Sequence, residues 1–208
     1  MNKLLNLLKH SFFISMLLFG SLSCTNEATD LDKSIDSITS SDISNSLHVS
    51  FNTPEWNRMI DCSQLDFEPI YLNDSTSYIY AISQSTSLTF FFSFPSDSSV
   101  MSKQSNLKKY PIRSYAGNLD GYFEYSHKLP YNVGSPNRLI SEYGFSDSTY
   151  NQIVSIKYIE SNATVAKFEV KGKYAMIAYV LNPADSENTS NKRKITGTYN
   201  FNVGVKRR

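Results

Sequence analysis

Along most of this 208-residue chain the apolar positions recur at every second residue. The C-terminal stretch is the clearest case: Ile195, Gly197, Tyr199, Phe201, Val203 and Val205 alternate with Thr196, Thr198, Asn200, Asn202 and Gly204. A period of two sends one set of side chains to a core and the other to solvent, as in an antiparallel sheet covered on one face. Val154, Ile156 and Tyr158 against Ser155 and Lys157 predict another strand. Ala166, Phe168 and Val170 against Lys167, Glu169 and Lys171 predict the next. Beyond Gly172 the run from Tyr174 to Leu181 is apolar on both faces, which predicts a central place in the sheet. Gly172 is then either a hairpin turn or a bulge that bends one long strand.

Upstream, Tyr78 to Ser83 and Leu88 to Phe94 are strand-like runs with turn formers between them, and predict a hairpin. Pro95 to Ser99 reads as a loop. Asn118-Leu119-Asp120-Gly121 reads as a turn into a strand over Gly121 to His127, whose Tyr122, Phe123 and Tyr125 favour extended backbone. Lys128 to Tyr150, with Pro130, Gly134, Pro136 and Gly144, predicts a long connection. No amphipathic helix exceeds two turns. The pattern predicts an all-β domain over residues 48–208, a single antiparallel β-sandwich or partly open barrel.

The first 47 residues follow other rules. Lys3 and Lys9, an apolar run from Phe12 to Leu22 and Ser23 before Cys24 have the layout of a secretory signal peptide over residues 1–23. The run is too short to span a bilayer. From Thr25 to Leu47 there are six serines, three threonines and five acids against one lysine. Such a stretch buries too little to order itself, and residues 24–47 predict a flexible tether of ~26 Å average reach. Leu31, Ile35 and Ile38 have helical spacing, so a short helix is the alternative.

Cleavage before Cys24 leaves 185 residues, room for one core. Without Lys3 and Lys9 there remain 18 basic side chains against 19 acidic ones, which supplies no long-range pull on nucleic acid. Lys192-Arg193-Lys194 and Lys206-Arg207-Arg208 read as a solvated turn and a chain end.

Ser21-Leu22-Ser23-Cys24 resembles the lipobox of bacterial lipoproteins, with leucine two rather than three places before the cysteine. Phe51-Asn52-Thr53-Pro54-Glu55-Trp56, Lys171-Gly172-Lys173-Tyr174 and Ile195-Thr196-Gly197-Thr198-Tyr199-Asn200-Phe201 resemble the opening, central and closing strands of uncharacterised β-domain lipoproteins of Bacteroidota. In that family a glycine usually precedes the tryptophan, where this chain has Pro54-Glu55. The resemblance implies an acylated Cys24, a lipid anchor in the bacterial cell envelope, on the periplasmic or surface face of the outer membrane, and a small β-domain. It brings no catalytic residue and no ligand.

Motifs for catalysis, phosphate cradling, metal or cofactor binding are absent from the sequence. Cys62, in Met59-Ile60-Asp61-Cys62, fits a small buried hydrophobe better than a nucleophile. His48 and His127 lie in no signature, and Asp66, Glu68, Asp120, Glu124 and Glu142 are carboxylates that sequence cannot pair for glycoside hydrolysis. What remains is the aromatic load of 14 Tyr, 13 Phe and one Trp. Most must fill the core, but Trp56, Tyr131, Tyr143 and Tyr150 stand at turns or in loops and are the candidate ligand-binding rings. The expected function is a non-catalytic envelope module binding a glycan or another envelope protein. A hydrolase of envelope polymers and a structural subunit of a surface assembly are the alternatives.

Overall fold

A computed structural model describes residues 34–62, 66–71, 74–83, 88–115, 117, 120–131, 136–181 and 191–207. Residues 1–23, Cys24 and the tether as far as Lys33 lie outside the described residues. Ser34 to Arg208 forms one compact unit.

The eleven strands among the described residues are β1 (His48–Asn52), β2 (Asn57–Asp61), β3 (Asp66–Tyr71), β4 (Thr76–Ser83), β5 (Leu88–Pro95), β6 (Lys109–Tyr110), β7 (Tyr125–Pro130), β8 (Arg138–Ser141), β9 (Tyr150–Ser161), β10 (Val165–Leu181) and β11 (Lys192–Lys206). They form one antiparallel sheet in the order β2-β1-β11-β10-β8-β7-β5-β4-β3. β9 pairs with the first half of β10, along the edge that β8 takes further on, and β6 pairs with β9. The sheet curls into a half-barrel, so the all-β expectation holds, and a single continuous sheet builds both flanks of the core. The curl brings the end of β5 beside the end of β11, where Asp97 bridges Lys206 and a one-turn helix, α1 (Ser98–Met101), plugs the gap with Met101.

β10 shows why alternation was readable. Phe168, Val170, Tyr174, Met176, Ala178 and Val180 all point inward, and β11 answers with Ile195, Tyr199, Phe201 and Val203. Gly172 is a bulge: β10 continues through it while its register against β9 shifts between Lys171 and Gly172. Glycine is required there, since a Cβ would lie 2.2 Å from the ring of Tyr199. Gly197 has the same role on β11, where a Cβ would sit 2.0 Å from the carbonyl oxygen of Ser50. The space admits whole tyrosines. Tyr174 donates to the Ser50 carbonyl at 2.7 Å and Tyr199 to Asn151 Oδ1 at 2.9 Å, so their hydroxyls are satisfied inside the core. Phe90, Phe92, Phe201 and Tyr125 pack around them, with Tyr199 and Phe201 stacked 4.6 Å apart.

Four expectations change. Lys192-Arg193-Lys194, expected as a solvated turn, open β11 opposite Tyr179, Ala178 and Ile177. The strand expected over Gly121 to His127 begins only at Tyr125: Phe123 turns with φ 57°, held by the Asn151 side-chain amide donating to its carbonyl. The connection expected from Lys128 to Tyr150 contains the end of β7 and all of β8, whose four residues Arg138–Ser141 are too short to announce themselves. The tether expected over residues 24–47 is packed in its described part. A 3₁₀ turn at Ile35–Ser37 leads into a strap across the outer face of β10 and β11, and Ile43 is buried. Its polar composition is matched by polar partners: Lys173 Nζ donates to the carbonyls of Asp36 and Ile38 at 2.7 and 2.9 Å. Lys171 Nζ donates to Ile43 O and to Asn45 Oδ1 at 2.6 Å, and Asn200 Nδ2 to Ser44 O and Asn45 O.

Candidate functional site

Period-two alternation that fills the half-barrel also places rings outside it. Tyr78 and Tyr80 on β4 and Phe91 on β5 face away from the core, opposite in phase to Ile79, Ala81, Phe90 and Phe92. Tyr80 lies directly across from Phe91, ring centroids 5.9 Å apart and planes 26° apart. Tyr78 lies 6.1 Å from Phe91, and on the other side Tyr115 lies 5.8 Å from it. Tyr115 comes from the segment between β6 and β7, tied to β8 by its amide donating to Ser141 O at 3.1 Å. Lys128, on β7, holds its ammonium 5.0 Å from the Tyr115 ring centroid. The four rings are half-buried and form a strip along the outer face of β4 and β5. Sequence reading put Tyr78 to Ser83 and Leu88 to Phe94 into a hairpin and did not separate their two faces. The signal was Phe90-Phe91-Phe92, since the middle of three consecutive strand residues must face away from its neighbours.

Beside the strip lies a buried ion pair. Glu124, with 4% of its side chain exposed, meets Arg113 Nη2 at 2.7 Å and accepts from the Gly121 amide at 3.1 Å. This hydrogen-bonded carboxylate holds the Arg113 guanidinium above its ordinary pKa. Glu142 pairs with Lys192 at 2.8 Å. Two carboxylates considered for glycoside hydrolysis are thus committed to cations. The side chains of Asp66 and Glu68 lie outside what is described.

The four rings singled out in the sequence divide. Trp56 and Tyr131 meet: the indole Nε1 donates to Tyr131 O at 2.8 Å, Arg193 Nη2 to Tyr131 Oη at 3.1 Å, and Arg193 Nε to Glu55 Oε1 at 2.7 Å. The Thr53 hydroxyl makes this corner by accepting from the amides of Glu55 and Trp56, so Pro54-Glu55 turns the chain without glycine. Both rings are half-buried against the core. Tyr143 is 58% exposed beneath Arg113. Tyr150 offers no surface and is corrected as a ligand ring: it is fully buried, its hydroxyl donates to Asp36 of the strap, and Lys109 lies 4.0 Å from its ring. That hydrogen bond lowers the pKa of Asp36, while burial raises that of Tyr150.

The nucleophile and base candidates are core residues. Cys62 is buried, and loss of hydration pushes its thiol up to about 12. His127 is fully buried between the edges of Phe51, Tyr125 and Tyr174, and burial pulls it down to about 3. His48, 1% exposed, meets Ser46 O at 2.8 Å and Thr198 Oγ1 at 3.1 Å beneath the strap. Among the described residues no three His, Cys, Asp or Glu side chains gather as for a metal ion, and no helix is long and apolar enough to cross a membrane.

No family model, no curated protein and no solved structure matches this chain. The reading of its surface therefore rests on geometry.

Proposed function

We propose that the chain is a bacterial cell-envelope lipoprotein, anchored in the outer membrane through an acylated Cys24, whose half-barrel binds glycan without turning it over. The observation that carries the binding half is the strip Tyr78–Tyr80–Phe91–Tyr115. Ring faces with polar hydroxyl rims suit the apolar faces and hydroxyl edges of sugars. A cation at the end of the strip adds an orienting hydrogen-bond donor, and the rings follow one another in a row, as a chain-like ligand requires. Glu124 and Glu142 are engaged by Arg113 and Lys192, and Cys62, His48 and His127 are buried, which favours retention over hydrolysis. The anchor half is carried by the layout of Lys3, Lys9, Phe12–Leu22 and Ser23-Cys24.

The test is binding of purified protein to peptidoglycan fragments and envelope oligosaccharides by calorimetry, with turnover followed in the same mixtures. Binding that falls at least tenfold in Tyr80→Ala/Phe91→Ala, with no product released, is the expected result. Hydrolysis lost on changing a carboxylate would replace this reading with that of an enzyme.

A further inference from the structure

The first described residues come to rest beside an unusual loop. Ile35 and Asp36 line an open recess of about 410 Å³ with Ser146, Asp147 and Ser148, in the connection between β8 and β9. Just before these serines stand Tyr143 and Phe145, each 58% exposed, the most exposed large hydrophobic side chains among the described residues. Gly144 between them is fixed on both backbone groups, its N–H donating to Ile112 O and its carbonyl accepting from Ile112 N. Its missing Cβ points at the domain, 2.5 Å from Thr149 Cγ2. Neighbours of an inward position in extended backbone face outward together. The loop thus presents two aromatic side chains on a braced backbone, each more than half exposed. Arg113 lies over the Tyr143 ring at 5.5 Å, Lys109 reaches Asp147 at 3.7 Å and Lys194 lines the recess. Aromatic side chains rimmed by lysine and arginine are what the headgroup layer of a bilayer selects.

We propose that the Tyr143–Gly144–Phe145 loop is a second membrane contact, seated in the headgroup region of the bilayer that holds Cys24. This rests on the anchor reading above. Chain length is what names the bilayer as occupant. Ten residue steps separate Cys24 from Ser34, a reach of ~17 Å as coil and at most ~35 Å extended. The tether is not free to swing from its far end, because Lys173 grips Asp36 and Ile38 beside the loop. The anchor therefore delivers the patch around Ile35 to the membrane surface, and a contact too weak to recruit the domain alone becomes intramolecular. Acids at Asp36, Asp147 and Glu142 offset the nearby lysines, so the contact is driven by the rings and is insensitive to salt.

The test uses the full mature chain carrying Asp147→Cys, a fully exposed position, labelled with an environment-sensitive fluorophore. Cys62 stays unlabelled because it is buried with a raised thiol pKa. After reconstitution into phosphatidylethanolamine–phosphatidylglycerol vesicles, the label should shift to the blue and be quenched by lipids brominated near the headgroup. Tyr143→Ala/Phe145→Ala should abolish both effects with the acyl group still present by mass. A label at Tyr158→Cys, some 26 Å along β9, should stay aqueous. Aqueous emission at position 147 in acylated protein overturns the loop contact and leaves the anchor standing. An unmodified Cys24 thiol overturns the anchor and the loop contact with it. A blue shift without vesicles that grows with protein concentration assigns the rings to a second copy and overturns the proposal.

Discussion

Phe90 and Phe91 are neighbours in sequence, yet the sheet gives them opposite surroundings. Phe90 has no exposed surface and stacks 5.1 Å from Phe201 inside the half-barrel; Phe91 faces outward between Tyr80 and Tyr115. Inside, the tyrosine hydroxyls of Tyr174 and Tyr199 are spent on Ser50 and Asn151, and glycines 172 and 197 make room for the rings. Outside, the rings rest on one another, with Lys128 at the end of the row. The same residue type is core material on one face and a partly exposed strip, the surface proposed to bind, on the other, and a one-residue step along a strand decides which.

Truncation separates the faces most sharply. Phe90→Ala should cost about 3–5 kcal/mol, because its cavity is closed on all sides. Phe91→Ala should cost about 1–2 kcal/mol, since part of the residue stays in water and the space left opens to solvent. Urea unfolding of both variants checks the contrast. Equal losses would mean that the strip is a second core, and the case for it as a binding surface would go.

Acid sharpens the inner side. His127 is held neutral by burial, and neither ring nitrogen has a hydrogen-bond partner among the described residues. Its pKa falls from 6.5 in the unfolded chain to about 3 in the fold. Between these values the unfolded chain takes up a proton that the folded one refuses. Stability is therefore retained above pH 6.5 and lost as pH falls, by about 1.4 kcal/mol per pH unit. His48, also lowered by burial, acts in the same direction. Thermal melts at pH 7 and pH 4.5 should show a much smaller acid loss in His127→Leu than in the native chain. An identical loss would mean that His127 is hydrated inside the core.

The inner face was legible because burial there is nearly total: Ile195 to Val205, Phe168 and Val170 follow from alternation along a strand, while Gly172 stood open as turn or bulge until the register against β9 decided it. The outer face was less so, since it is decided by what lies on top. Lys171 alternates with Val170 as a solvent residue should, yet it is 6% exposed, and Lys173 is 3% exposed, because the strap covers them. Nothing local in Ser34 to Leu47 marks it as a cover: what it offers Lys171, Lys173 and Asn200 is mostly backbone carbonyls, which every sequence has. Tyr150 misled for the same reason. It stands at the end of a long connection, where a ring reads as free, and Asp36 from 114 residues away closes over it.

That cover can be loosened without touching the core. Lys173→Ala removes both bonds from the strap to its ammonium and leaves the carbonyls of Asp36 and Ile38 to find water. About 1–3 kcal/mol of local stability should go. Hydrogen exchange at the Thr39 and Asp42 amides, now held by Asp42 Oδ2 and Thr39 O, should speed up tenfold or more while the amides of β11 keep their protection. If both regions accelerate together, the strap is an integral part of the fold and not a separable cover.

The smallest expected effect tests where ligand sits. Arg193, paired with Glu55 at the half-exposed corner, belongs to a class of ion pairs worth about 0–1 kcal/mol, so Arg193→Ala should barely change stability. Trp56, the single tryptophan, reports on that corner through its bond to Tyr131 O. Glycan bound on the outer strip lies on another face of the sheet and should leave Trp56 emission unchanged at saturation. Quenching of Trp56 that disappears in Arg193→Ala would move the binding surface to the rim formed by Trp56, Tyr131 and Glu55, and the outer rings would then be no more than well-packed surface.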